Sequence, residues 1–326
     1  MGLVAFKKCQ VAIEATHGDA TTCDKMLVGS MGYNSEVTFN APEEDTGLLS
    51  KVTRRTKIDE KTSLSYEGSA TFEQLMLWLG CAFKGGVTPT DVGDGAYEWL
   101  YNPNLTAVND PETFHLIAGD DVEQYSIPYC VLQNIEISMA LGDVAKLRAD
   151  MIGRPMSATS FETITLPTVE DIVAAKMTLD IDATWAGLGD TAVTAMLTSA
   201  AMRFPTGLVP VKYADGTQYF SDVAENKRSM ELDLTYLHST TAVTEWGYLA
   251  AGTRRFIRLE VLGSLIGGSN YNLLRIDVCG TYESWSKPGD KDGETVTTIK
   301  LTSEYDPTST KEYNVMVRNS KGTYAA

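Results

Sequence analysis

Residues 177–185 alternate without a break: Met177, Leu179, Ile181, Ala183 and Trp185 are apolar, and Thr178, Asp180, Asp182 and Thr184 stand between them. Successive side chains of a strand point to opposite faces, so this period puts one face on a core and the other in water. Met230, Leu232, Leu234 and Tyr236 alternate in the same way against Glu231, Asp233 and Thr235. Ile135, Ile137 and Met139 form a third set, and Leu147, Ala149 and Met151 a fourth. Residues 256–262, 295–301 and 313–317 add segments rich in β-branched or aromatic residues. Asp215-Gly216, between 211–213 and 218–220, is the strongest short hairpin signal. Lys287-Pro288-Gly289-Asp290-Lys291-Asp292-Gly293 separates two further strands. These patterns predict a mainly β, antiparallel chain.

Two helices interrupt it. In the first, Phe72, Leu75, Met76, Leu79 and Phe83 share one face, Thr71 with Gln74 forms a capping box, and Gly85-Gly86 ends the run. In the second, Ala242, Trp246, Leu249 and Ala250 share a face, with Thr241 as cap and Gly252 as stop. Residues 173–175 and 194–201 are Ala-rich and read as strand or strand approach. The two helices enter alike. Leu64-Ser65-Tyr66 with Ser69 and Thr71 precedes the first, and Leu234-Thr235-Tyr236 with Ser239 and Thr241 precedes the second. Residues 155–171 hold Pro155, Pro167 and many Ser/Thr residues without periodicity, which places a seam there. The expected domains are 1–164 and 165–326. Residues 40–47 form a polar acidic loop, and 88–109 a second long irregular stretch.

With 326 residues, 43% hydrophobic and 21% charged, the chain can bury a sizeable core, and bulk disorder is not expected. The net charge of −16 leaves no basic stripe of the kind that grips nucleic acid. Arg54-Arg55-Thr56-Lys57 is the densest basic cluster, and Asp59 and Glu60 dilute it. No apolar run is long enough to span a bilayer, and Met1–Lys8 does not read as a secretory signal, so no membrane is expected. Cys9, Cys23, Cys81, Cys130 and Cys279 show no Cys-x-x-Cys spacing, and most of them read as buried small hydrophobes.

No catalytic constellation emerges. His17, His115 and His238 lack paired-ligand spacing, and no Gly-x-Ser-x-Gly elbow exists. Asp290-x-Asp292-Gly293 lacks the further ligands of a calcium loop and reads as a turn. Gly187-x-Gly189-x-x-Ala192 matches a dinucleotide fingerprint, but the strand before it carries Asp180 and Asp182 on one face, whereas a Rossmann first strand is buried on both. The acids Glu43-Glu44-Asp45 and Asp120-Asp121 read as solvated loop charge. No enzyme activity, cofactor or metal is expected.

Several pieces occur in a telling order. Glu14-Ala15-Thr16-x-Gly18-x-Ala20-Thr21 opens the chain, a charged strand follows, and then Tyr66-Glu67-Gly68-Ser69-Ala70-Thr71-Phe72-Glu73-x-Leu75. Leu179-Asp180-Ile181-Asp182, Trp185-Ala186-Gly187 and the Thr206-Gly207-Leu208 turn come later. This order resembles the tail tube (major tail) proteins of long, flexible-tailed bacteriophages, in the subgroup with a duplicated tube domain. The resemblance implies two tandem β-sandwich or half-barrel domains, each flanked by one outer helix. Inner strands would close a β-barrel on oligomerisation, and rings would stack into an acidic-lined conduit for the genome. Ring members with one domain assemble as six, so a duplicated chain implies a homotrimeric ring.

The implied partners are the chain itself, tape-measure, tail-terminator and baseplate or distal-tail proteins, and double-stranded DNA passing without specific binding. The implied location is the virion tail, after synthesis in the host bacterial cytoplasm. Pro42, Glu43, Glu44, Asp45, Asp215 and Gly216, in loops with reach, are the expected subunit or ring–ring contacts. The competing reading is a stand-alone β-sandwich module that binds a receptor or carbohydrate. It would use Tyr97, Trp99 and Tyr101 as a surface aromatic cluster.

Overall fold

The alternating segments become strands, and the protein is mainly β. A computed structural model describes residues 6–193, 197–286, 289–291 and 293–324. The first half contributes β1 (Lys8–Ile13), β2 (Lys25–Met26), β3 (Ser30–Asn40), β4 (Thr56–Ser69), helix α1 (Phe72–Ala82), β5 (Thr90–Gly93), β6 (Ala96–Tyr101), β7 (Phe114–Gly119), β8 (Gln124–Ala140), β9 (Lys146–Gly153) and β10 (Ser157–Ala158). The second contributes β11 (Met177–Asp182), β12 (Leu197–Pro205), β13 (Leu208–Val211), β14 (Asp222–Glu225), β15 (Glu231–Leu237), helix α2 (Thr240–Ala251), β16 (Arg255–Gly267), β17 (Asn270–Trp285), β18 (Gly289–Lys291), β19 (Glu294–Ser303) and β20 (Tyr313–Asn319).

All pairings between these strands are antiparallel, and they trace one path twice. In the first half β3 pairs β4, β4 pairs β9, β9 pairs β8, β8 pairs β7, and β7 pairs β1. In the second, β12, β15, β19, β17, β16 and β11 follow the same sequence of partners. The helix follows the second strand of each path. Long strands make the turn between layers. β8 pairs β7 through its N-terminal part and β9 through its C-terminal part, with a register shift at Leu132/Asn134. β17 does the same with β16 and β19, shifting at Tyr282/Ser284. An extra residue at such a point bends and twists the strand.

The halves are also sewn together. β8 pairs β12, and β6 pairs the C-terminal strand β20. One apolar core runs through both, from Leu64, Trp78 and Phe114 to Leu234, Ile276 and Val315. The segment predicted as a seam carries part of this join. Phe72 donates its N–H to Glu170 O (3.1 Å), and the Glu170 carboxylate accepts from Ser264 N (2.7 Å) and Asn272 Nδ2 (2.7 Å).

The two helices, alike in their entry, are placed differently. Thr71 caps α1 by accepting from Gln74 N, as predicted, but α1 is not an outer buttress. All its residues except Glu73 are buried, with the strands of its own half below and β20 and β17 against it. Asn319 Nδ2 donates to Phe72 O at 2.8 Å, and Tyr101 Oη to Met76 O at 2.6 Å. In α2 the cap is Ser239 rather than Thr241, because the Ser239 side chain reaches Ala242 N. The predicted apolar face is also revised: Ala242 and Glu245 are buried, whereas Trp246 is 52% exposed. Glu245 turns inward because Arg255 meets it bidentately (2.8 and 2.9 Å), Tyr282 Oη donates to it (2.7 Å), and Arg255 lies over the Tyr248 ring.

Other predicted boundaries shift for local reasons. The strand from 177 ends at Asp182, since Thr184 caps a 3₁₀ turn at Trp185–Gly187. Residues 174–176 form a 3₁₀ turn, not a strand approach. Of the 194–201 segment, 197–201 belong to β12 and 194–196 lie outside the described residues. The irregular stretch 88–109 contains β5 and β6, whose order comes from pairing with distant β20.

The Glu245–Arg255 pair sits at 5% and 7% side-chain exposure, so removing one partner strands a buried charge. Glu245→Ala is expected to cost about 3–5 kcal/mol in urea unfolding, and more than Arg254→Ala, whose side chain is 35% exposed.

Candidate assembly interface

Sheet edges are the feature most open to a partner, and one edge junction already exists inside the chain. β12 lies between β15 and β8. Across the β8–β12 seam Phe204, Met202 and Ala200 oppose Ile135, Ile137 and Met139, all buried. On the other face Arg203 meets Glu136 at 3.3 Å. The first half thus ends its sheet on the first path strand of the second half.

Each terminus of this combined sheet is open. Among the described residues, β3 pairs only with β4, and residues 281–285 of β17 with β18 pair only with β19. β3 is 11 residues long and mostly exposed, without the Pro or Lys that protects an edge from other chains. The sequence signal for it was weak, because neither face of β3 is fully buried.

The sheet running from β3 to β17 has one polar face, and its cations are paired there. Lys61 meets Glu36 (3.2 Å), Arg148 meets Glu67 (3.0 Å), Lys146 meets Asp143 (2.7 Å), and Lys300 meets Glu231 (3.0 Å). Asp150 and Asp233 stand on the same face outside those pairs. The Glu67 hydrogen bond raises the Arg148 pKa, and the Lys146 hydrogen bond lowers that of Asp143. Among the described residues, this face offers phosphate no unpaired cation.

The predicted contact residues fall in two loops. Pro42, Glu43, Glu44 and Asp45 lie in the loop that closes the long β3–β4 hairpin, where Glu43 pairs with Lys51 (2.8 Å) and Glu44 with Arg54 (2.5 Å). Leu48 and Leu49 in this loop are exposed, as are Phe39 and Ile58 on its stem. Asp215 and Gly216 lie in the connection between β13 and β14, which pair as Leu208↔Glu225 to Val211↔Asp222. The predicted tight turn flanked by 211–213 and 218–220 is therefore a ten-residue loop, 212–221. Asp215 shapes it, accepting from Ser221 Oγ, Thr217 N (2.9 Å) and Thr217 Oγ1 (2.8 Å). Lys212 pairs with Asp59, and Gln218 O accepts from Glu60 N (2.8 Å), so this loop abuts the hairpin stem.

Other candidate groups have structural roles. Glu14, in the opening motif, is buried and accepts from Gly18 N (2.8 Å), Thr113 Oγ1 (2.6 Å) and Tyr129 N (2.7 Å), fixing the first turn to β7 and β8. The aromatic cluster proposed for carbohydrate is not a surface: Trp99 and Tyr101 are 1% and 0% exposed, because β20 and the C-terminal segment cover them. Trp99 Nε1 donates to Lys321 O at 2.8 Å. Gly187 and Gly189 lie in the turn after β11. Asp120 Oδ1 accepts from Val122 N and Glu123 N in the β7–β8 turn. Asp290 begins the β18–β19 hairpin, and Asp292 lies outside the described residues.

His17 is exposed, His115 bonds Ser126 Oγ (2.7 Å), and His238 bonds Thr297 Oγ1 (3.0 Å). All five cysteines are buried and free, and burial pushes the thiols of Cys23 and Cys279 up to about 12. A groove of about 600 Å³ beneath residues 162–169 borders Glu73, Met76 and Lys321 without assembling a nucleophile and base. Among the described residues no group of three His, Cys, Asp or Glu is placed to hold a metal, and no helix is long and apolar enough to cross a membrane.

The Asp215 carboxyl is held down at about 2, first by Ser221 Oγ and then by Thr217. A depressed folded value contributes order above the unfolded value of ~3.9 and loses it as pH falls through the folded one. The Thr217 amide resonance is therefore expected to hold from neutral pH to about 3 and to move only as pH approaches 2. A transition centred near 4 would show that Asp215 does not organise the loop. No protein-family model matches this chain, and no curated protein matches it.

Proposed function

We propose that the protein is a structural subunit that self-assembles edge to edge into rings, stacked as the tail tube of a long flexible-tailed bacteriophage. The in-chain β8–β12 junction carries this reading. It joins two units with the same pairing path, and it leaves that path unfinished at β3 and at β17–β18. In a chain built this way, further copies can continue the sheet at both open edges. Heterologous contacts of this kind close into rings when the rotation permits. Closure also removes the exposed edges that otherwise invite aggregation.

On this reading the pairing path marks a duplicated unit, and three copies supply the six units of a ring. The polar face from β3 to β17 lines the bore. Its cations are tied to carboxylates, and Asp150 and Asp233 add negative charge beyond those pairs. Lys and Arg bind duplex DNA by neutralising phosphates and so releasing the counterions condensed on it, and a face with no free cation among the described residues lets it pass. The β3–β4 hairpin, with exposed Leu48 and Leu49, reaches the next ring. Tape-measure, terminator and distal-tail proteins would meet the finished tube, and the location is the virion tail.

Negative-stain microscopy of the purified protein is expected to show rings or tubes of uniform bore. A chain that stays monomeric at high concentration, even with tail-initiating partners, overturns the reading. The bore assignment has its own test. Asp150→Lys with Asp233→Lys is expected to leave assembly intact and to make tubes retain duplex DNA, with retention falling steeply as salt rises. Unchanged DNA passage in well-formed tubes would place the bore elsewhere.

A further inference from the structure

The correspondence between the two units fixes residues, and through them a contact the chain cannot make with itself. Tyr33 opposes Leu64 in the first unit, and Ala200 opposes Leu234 in the second. Three residues on, Glu36 opposes Lys61 and Arg203 opposes Glu231. Glu36 therefore holds the place of Arg203. On the far side Leu64 opposes Met151 and Leu234 opposes Ile299. Three residues before each of these, Arg148 opposes Glu136 and Val296 opposes Gly289. Gly289 therefore holds the place of Glu136. Within the chain Arg203 and Glu136 are paired across the seam, as are Met202 and Ile137. Among the described residues, Glu36 and Gly289 have no such partner across an open edge.

We infer that β18 pairs antiparallel with β3 of a second copy, with Gly289 opposite Glu36 of the partner subunit and Asp290 opposite Ser35 of the partner subunit. This deepens the assembly reading and rests on it. A second, separate asymmetry points to the same occupant. Helix α1 is buried because the second unit packs over its outer side, through β17 and β20. Among the described residues no second unit lies over helix α2, and Val243 and Trp246 are each 52% exposed. A copy docked on β18 as the second unit docks on β8 would bring its first half over that face. One partner thus completes both the open edge and the open helix.

Gly289 has open space around a Cβ, and Glu36 is a half-exposed edge residue, so cysteine fits both. The native thiols are buried, which leaves the introduced pair as the reactive one. In assembled Glu36→Cys/Gly289→Cys protein, mild oxidation is expected to give covalent multimers on non-reducing gels, and Val37→Cys/Gly289→Cys much less. A slip of one residue turns the side chain to the opposite face, so the second pair is the register control. Rings by microscopy with no Glu36→Cys/Gly289→Cys cross-link, or with stronger cross-linking of the slipped pair, overturn this contact and leave the tube reading standing. Absence of any ring overturns both.

A measurement on the helix needs no cysteine. Acrylamide quenching of tryptophan is expected to drop on assembly, and Trp246→Phe to abolish the drop. Trp246→Asp should weaken association roughly tenfold or more, as the loss of a central aromatic does. Trp246 equally quenchable in tubes and in monomers would overturn the helix contact.

Discussion

Backbone pairing along β8 is the interaction on which the rest of the structure depends. Its N-terminal part belongs to the β7 layer and its C-terminal part to the β9 layer, and its last residues carry β12. A strand shared in this way fixes three registers at once. A slip by one residue would move Ile135, Ile137 and Met139 from core to polar face in every sheet they join. The bulge at Leu132/Asn134 lets one strand bend between layers, interrupting the β8–β9 ladder only at Gln133. β17 performs the same turn in the second unit, but its outer edge is left without a strand among the described residues.

From that difference follows the unequal treatment of two similar helices. α1 is enclosed because the β8–β12 junction brings the second unit over it. α2 has only its own unit beneath it, and an ion pair does part of the work that apolar packing does for α1. Arg255 holds Glu245 bidentately, Tyr282 completes the carboxylate, and Tyr248 covers the guanidinium. The echo tyrosines differ too. Tyr66 Oη donates to Val28 O at 2.5 Å, while the buried Tyr236 hydroxyl has no hydrogen-bond partner among the described residues.

How far the sequence could be read followed from the range of the forces involved. Segments 135–139, 147–151, 177–182 and 230–236 were legible because period-2 burial is written into neighbouring residues. The Thr71 cap was legible for the same reason, since its bond to Gln74 spans one turn. β6 was not, because its order comes from β20, more than 200 residues away, and its burial is irregular, with Leu100 exposed beside buried Trp99 and Tyr101. Asp215-Gly216 misled as a tight hairpin. Its carboxylate bonds within its own loop, and Lys212 and Gln218 are taken up by the β4 stem. In the candidate interface, the acidic loop residues were visible from composition, whereas the open edges were not.

By itself, the sequence determined the fold class, the places of the two helices, the Thr71 cap and the burial of most of the cysteines, since each depends on local pattern and residue chemistry. Tertiary structure alone decided that the two halves share one sheet, that α1 is interior and α2 is not, and that β3 and β18 are left open. Those outcomes depend on which strand reaches which neighbour. Backbone hydrogen bonds are the same for every residue type, so no residue at an edge announces whether its partner exists.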